Sequence, residues 1–333
     1  MSYRLILHPQ FDSLESDLQN ADTPEPDRYQ RDFFRRLMLG AKFKLSERWG
    51  SYYVADFNDH QVKNHIARLE WSPSSADTLY FGYQKAPFGN EDTSSSTRLK
   101  AIERSANTRF WNEVIGLGSY HSGIFYTRAM YPDLKATLAL THNVKSESDW
   151  PDVGSGEVSL YGRLVKSGSF SDGSHFQLGL DLGYQAMENE REIAGVSLFG
   201  GALVKGYNLL FEATGGAIDL SSGEVANAFG WHAEASHSFL SDFEWVARLS
   251  SVDTDGAPLK LSSAIRKAPA SGYAYERVDS LYLGINYLID GDHLKLSVGY
   301  ELGDGSSAIS GPGSTESVEE TVSGFRVRGQ LSY

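Results

Sequence analysis

The feature that most constrains this chain is a strict alternation of side-chain character. From Phe325 to the last residue, Phe325, Val327, Gly329, Leu331 and Tyr333 fall on one side of an extended backbone. Arg326, Arg328, Gln330 and Ser332 fall on the other. The pattern recurs. Phe176, Leu178, Leu180, Leu182 and Tyr184 alternate with Gln177, Gly179, Asp181, Gly183 and Gln185. Leu294, Leu296, Val298, Tyr300 and Leu302 alternate with Lys295, Ser297, Gly299 and Glu301. A strand sends successive side chains to opposite faces, so each segment has one apolar face and one polar or glycine face. A single soluble sheet could bury such a face. Repetition along the whole chain, in segments of about ten residues, is what a membrane barrel needs, with lipid on one face and water on the other.

The apolar residues make up 41% of the 333 residues but are nowhere contiguous. No run approaches the roughly 20 apolar residues of a membrane helix, which excludes a helical membrane protein. About sixteen segments can be counted, centred near Leu5, Leu39, Val54, Ala67, Phe81, Ser119, Leu138, Leu160, Leu180, Leu198, Phe211, Ala233, Ala247, Leu283, Val298 and Val327. An even number suits a bacterial barrel with both termini periplasmic. Links after even-numbered segments are short, as at Ser46 to Trp49, Pro73 to Asp77, Tyr131 to Asp133, Lys205-Gly206, Ser241-Asp242 and Asp290 to Asp292, with Ser167 to Gly173 a little longer. The intervening links are long: Ser13 to Gln30, Pro87 to Asn112, Asn143 to Gly156, Thr254 to Glu276 and Gly303 to Thr321. Acids crowd into them, with Asp12, Glu15, Asp17, Asp22, Glu25 and Asp27 in the first and Asp304, Glu316, Glu319 and Glu320 in the last. Short turns on one rim and long loops on the other are a barrel asymmetry that a β-sandwich has no reason to show. The expectation is an all-β transmembrane antiparallel barrel of about sixteen strands, residues 1–333 forming one domain in a bacterial outer membrane.

The other function classes fall away on chemistry. A net charge of -13 argues against a nucleic-acid partner. Cysteine is absent, which fits an exported chain without a disulfide framework. Met1-Ser2-Tyr3 runs directly into strand-like sequence, as expected of a mature chain without a signal peptide. No Cys/His cluster offers a zinc site, and the acid-rich links lack calcium-loop spacing, so neither a metal nor a cofactor is expected. His232, Glu234 and Ser236 share one phase, but alternate residues of a strand lie about 7 Å apart, too far for a nucleophile and its base. His237 lies in the other phase. An enzyme is not expected. The expected partners are membrane lipid and lipopolysaccharide outside the barrel and small ions or hydrophilic solutes within it.

A barrel of this size encloses an aqueous lumen unless something plugs it. The link 87–112 carries Glu91, Asp92, Arg98, Lys100, Glu103, Arg104 and Arg109. It can fold inward and narrow the channel, or remain a solvated external loop. On the polar faces, Arg326 and Arg328 of the last segment neighbour Arg4 and His8 of the first, and Arg36, Lys42 and Lys44 of the second extend the strip. Asp181, Glu212, Glu234 and Glu244 form an opposing acidic set. A strip of cations lowers the cost of dehydrating an anion. The same residues can equally close into a lattice of salt bridges. The expected filter sets Arg98, Lys100, Arg104 and Arg109 of the loop against Arg36, Arg326 and Arg328 of the wall, giving weak anion preference. If the acidic wall governs, the pore is non-selective or prefers cations. A filled lumen would instead make a structural or adhesive barrel.

One stretch resembles a known family. Tyr83-Gln84-Lys85-Ala86-Pro87-Phe88-Gly89, then Thr93-Ser94-Ser95 and Ile102-Glu103-Arg104-Ser105, looks like the turn and constriction loop of the phosphate-selective porin O and P family. Phe34-Arg35-Arg36-Leu37-Met38-Leu39-Gly40 is similar to that family's second strand. The resemblance spans about Arg31 to Gly118, around a third of the chain. It implies sixteen strands, a homotrimer and transport of anions such as phosphate. Its phosphate-selective members are rich in pore lysine and arginine, whereas this chain has 30 Lys+Arg against 43 Asp+Glu. A wet lumen screens charges within roughly 8 Å at physiological salt, so the expectation is weak anion preference without a tight phosphate site.

Overall fold

The computed structural model describes residues 1–19, 27–58, 62–142, 158–186, 192–220, 223–257, 261, 263–268, 275–307 and 317–333. Its strands are β1 (Ser2–Gln19), β2 (Asp27–Lys44), β3 (Trp49–Asp56), β4 (Lys63–Trp71), β5 (Asp77–Lys85), β6 (Tyr120–Tyr131), β7 (Leu134–His142) and β8 (Val158–Ser169). They continue as β9 (His175–Ala186), β10 (Glu192–Val204), β11 (Tyr207–Asp219), β12 (Val225–Leu240), β13 (Phe243–Asp253), β14 (Arg277–Asp290), β15 (Leu294–Ser307) and β16 (Val318–Ser332). Each strand pairs with its neighbours in chain order, and β1 pairs antiparallel with β16. The chain is a closed barrel of sixteen strands. Every expected segment centre lies in its strand except Ser119, which precedes β6 and adopts positive φ (75°) at the end of the long link.

The alternation of the sequence becomes the two faces of the wall. Leu178, Leu180 and Leu182 of β9 are exposed outside, while Asp181 and Gln185 are buried inside. The outer aromatic side chains gather near the short-turn rim. Trp49 stacks on Trp71 at 5.8 Å, Phe170 meets Phe176 at 5.3 Å, and Phe243 stacks on Tyr287 at 4.8 Å. Such a girdle marks a membrane–water interface.

Turn chemistry fixes the short rim. Lys205 and Gly206 both have positive φ (51° and 82°), the geometry of a two-residue hairpin whose twist matches its strands. The described strands extend further on the long-link rim than the sequence suggested. β1 continues to Gln19 and β2 begins at Asp27; β15 continues to Ser307 and β16 begins at Val318. Asp12, Glu15, Asp17, Asp304, Glu319 and Glu320 therefore belong to strands rather than links. Asp12 and Glu320 are buried inside, where a ladder partner or a cation offsets their polarity. Asp22, Glu25, Glu316 and the link from Asn143 to Gly156 lie outside the described residues.

A bulge at His8/Pro9 shifts the register of β1 on β2. Proline has no amide hydrogen to give to the ladder, and a bulge re-aims its neighbours. Opposite it, both Arg35 and Arg36 are buried on the inner side.

The largest apolar core lies between the wall and the link that joins β5 to β6. Phe88, Phe110, Trp111, Ile115 and Leu117 of that link pack against Tyr161, Ile193 and Ile218 of the wall. The link holds α1 (Asn90–Thr93) and α2 (Ala106–Arg109), the latter continuing into a π-helical turn at Phe110–Val114. Ser105 caps α2, its hydroxyl accepting from the Thr108 amide at 3.2 Å. Glycines on the wall make the seat. A Cβ at Gly216 would lie 2.8 Å from the Trp111 ring, and one at Gly195 would overlap Leu117.

Candidate functional site

The β5–β6 link runs around the inside of the barrel and is tied to the wall at successive strands. The Gly89 amide donates to Asp181 on β9 at 2.9 Å. The Asn90 and Glu91 amides both donate to Glu212 on β11 at 2.9 Å. Arg248 on β13 donates to the Glu91 carboxylate at 3.1 Å and to the Glu103 carbonyl at 2.6 Å. Lys295 on β15 donates to the carbonyls of Thr97 and Leu99 at 3.2 and 2.9 Å. The link is thus held by its own amides, carbonyls and acids, and these ties consume much of the wall's charge.

Among the described acids Glu103 meets the most cations. Its carboxylate meets Arg35 of β2 at 2.9 Å, Arg328 of β16 at 2.7 Å and Arg266 of the β13–β14 link at 3.6 Å. Burial would push this acid up, but the three guanidiniums hold it well below the usual carboxylate range. Asp92 is similar: burial acts to raise it, and Lys85 and Arg104 hold it down. Lys85 reaches Asp92 at 2.9 Å, and the Asn112 amide donates to the same carboxylate at 2.7 Å.

The structure divides the expected filter. Arg326 is enclosed, bonded to Asp12 and Glu301 at 2.9 Å each, and does not face the loop cations across open space. Arg328 is taken up by Glu103 and by Gln10, at 2.8 Å from its Nε. Lys100 pairs with Glu244 at 3.0 Å. Arg109 is buried against Ser263 at 3.2 Å. Arg98 is exposed. Only Arg36 and Arg104 of the set line the open cavity together. The physical reason is that a carboxylate offsets the burial of a guanidinium far better than repulsive company does, so most of these cations sit beside acids.

The acidic wall is not an open wall either. Asp181 is held by Arg163 at 2.6 Å, Glu212 by the α1 amides, and Glu244 by Lys100. Glu234 stands directly opposite Arg248 in the β12–β13 register.

What remains open is a cavity of about 730 Å³ between the link and strands β1–β9, reaching down to the short-turn rim. Its lining carries Arg4, Arg36, Arg68, Lys85, Arg104, Lys135 and Arg163, with Asp133 as the one carboxylate residue among the described lining residues. Hydroxyls from Thr93 to Ser96 complete the link side. Arg4 donates to Tyr52 at 2.6 Å and to Ser95 at 3.1 Å, both neutral groups. Arg36 approaches His65 at 3.4 Å. Arg68 lies over the Tyr80 ring at 4.4 Å and also pairs with Glu70 at 2.8 Å. Sequence phase pointed to Arg4 and Arg36. It missed Arg35, Arg68, Lys85, Arg163 and Arg248, although Arg68 and Arg163 sit midway along their segments, where their phase was readable.

Comparison with known proteins agrees with this geometry. The family model described as phosphate-selective porin O and P matches residues 10–209. The fold is similar to that of the outer membrane channel DcaP of Acinetobacter baumannii, at 11% identity and TM-score 0.64 over 99% of this chain and 96% of that one. It is also similar to an anion-selective porin from Comamonas acidovorans, at 12% identity and TM-score 0.61 over 98% and 99% of the two chains. A third is the trimer form of OmpT from Vibrio cholerae, at 11% identity and TM-score 0.57 over 99% of both chains. No curated protein sequence matches the chain.

Proposed function

This chain belongs to the phosphate-selective porin O and P family and forms an outer-membrane channel, and we propose that it passes small hydrophilic solutes with a weak preference for anions, phosphate-like anions among them. One observation carries the reading: the open cavity is lined by seven Lys or Arg side chains and one carboxylate residue. The chain as a whole is acidic, at -13, but a permeating ion responds to charges near its path. Charges further away than about 8 Å are screened at physiological salt. The preference is weak because Arg68, Lys85 and Arg163 each have a carboxylate in contact and Arg104 stands 3.9 Å from Asp92. Arg36 carries most of it, with Arg104, Arg4 and the hydroxyls of the link beside it.

Reversal potential in a potassium chloride gradient across a planar bilayer tests this. Chloride is expected to permeate better than potassium, by a small factor. A wild-type channel that prefers potassium would overturn the reading and hand control to acids near the mouths.

The assembly we propose is a homotrimer in outer-membrane lipid and lipopolysaccharide. A solved barrel of the same fold is described as a trimer form, and the family resemblance of Arg31 to Gly118 points the same way. Light scattering of the detergent-solubilised protein should give a trimer mass; monomer alone would sink the proposal.

A further inference from the structure

The β13–β14 link also enters the barrel. Its middle is far more buried than a solvated loop: Ala264 and Ile265 are 0% and 1% exposed, and Leu261 and Tyr275 are also buried, while Asp255, Gly256 and Lys267 are exposed. Leu261 and Tyr275 form an antiparallel bridge, with amide-to-carbonyl distances of 3.2 and 2.8 Å. Ala264 and Ile265 pack on Leu14 of β1 and Val322 of β16.

The wall is shaped to receive this segment. Gly303 and Gly305 lie on the inner face of β15, in phase with the buried Glu301 and Ser307. A Cβ at Gly305 would lie 2.7 Å from the Tyr275 ring, and one at Gly303 would overlap Ile265 and stand 3.1 Å from the Ala264 backbone. Any larger residue at these two positions would fill the seat.

Polar contacts then join the segment to the β5–β6 link. Arg266 pairs with Glu113 and, at 3.6 Å, with Glu103. Arg109 donates to the Ser263 hydroxyl at 3.2 Å and to its carbonyl at 3.4 Å. Arg326 of β16 donates to the Arg266 carbonyl.

We propose that this segment is a second constriction element, seated on the glycine face of β15 and latched by Arg266 to the first link, so that solutes enter only over the side of β2 to β8. The proposal rests on the channel reading. It adds that two inward links set the aperture, and it makes Arg266 and the glycine pair determinants of pore size. An apolar seat with a cationic tip placed on acids is not what an external loop requires. Filling the seat from the wall side should evict the segment while leaving the strand ladder intact, because the added side chain points inward.

The chain contains no cysteine, so a single introduced thiol reports without background. In folded barrels carrying Ala264→Cys, a bulky water-soluble maleimide should label slowly. Adding Gly303→Leu should make labelling fast and raise single-channel conductance by about 1.5-fold, since conductance follows the width of the lined path. Arg266→Gln, which leaves the seat untouched, should raise conductance by less and serves if Gly303→Leu does not fold. Fast labelling of the barrel carrying Ala264→Cys alone would overturn the seating. Conductance unchanged in a Gly303→Leu barrel whose introduced thiol labels fast would overturn the constriction, as would unchanged conductance in Arg266→Gln if that is the variant that folds. A wild-type barrel that conducts nothing would sink the channel reading instead, and the labelling result would still decide whether the segment is seated.

Discussion

The two halves of the lumen use the same residue types to opposite ends. Along β9 to β16 and β1, arginines and acids close on one another and on the infolded links, as in Asp12–Arg326–Glu301 and Glu91–Arg248. Along β2 to β8 several cations line the open cavity, some beside a carboxylate, and Arg36 approaches His65. Charge in the first half holds the structure, and part of the charge in the second lines the open cavity. The difference teaches that a count of pore arginines predicts selectivity poorly. What matters is which of them has a carboxylate within contact.

The largest expected effect belongs to the enclosed ion pairs. Glu103→Ala strands Arg35 and Arg328 without their acid, and breaking such enclosed pairs costs on the order of 3 kcal/mol. The unfolding midpoint in urea, read by the mobility shift of heated against unheated barrels, should fall clearly, whereas Arg36→Gln should leave it nearly unchanged. Equal shifts would erase the distinction between the halves.

Selectivity should show the reverse order. Arg36→Gln and Arg104→Gln should each move the reversal potential toward potassium, and the pair should move it further. Arg326→Gln should leave it in place, because Arg326, Asp12 and Glu301 are all buried and none of them lines the cavity. A shift for Arg326→Gln as large as that for Arg36→Gln would mean that the enclosed charges are felt in the pore.

A smaller effect sharpens the contrast from behind the wall. Asp181→Asn removes the acid that holds Arg163 at 2.6 Å and leaves Arg163 on the cavity lining. Chloride permeability relative to potassium should rise modestly, and a fall would show that Asp181 is not what limits Arg163. The smallest effect is expected at Arg98, which is exposed. Arg98→Gln should leave reversal potential and conductance unchanged within measurement error.

The barrel was legible because lipid imposes its alternation on every strand, as Leu178, Leu180 and Leu182 show against Asp181. The lumen was less legible because period 2 tells only which face a side chain takes. It does not tell what arrives opposite. Arg326 read as a free cation since nothing local reveals that Asp12, 314 residues earlier in the chain, is its partner. The bulge at Pro9 hid Arg35, as a one-residue slip changes the face. The seat of the infolded segments was written in glycines on the polar face, such as Gly195, Gly216, Gly303 and Gly305. An inward glycine has neither charge nor bulk, so it registers in a sequence only as a missing polar residue.

The junction at Glu103 also joins distant parts of the chain. Arg35 is 68 residues from Glu103 along the chain, and Arg328 is 225 away on the last strand. The first contact can form while the wall is still growing. The second must wait until β16 has been threaded into place beside β1. Contacts this distant in sequence come late, because long loops must close before they are rewarded. Glu103 therefore ties the second strand to the last through the link, and its full set of partners exists only in a closed ring.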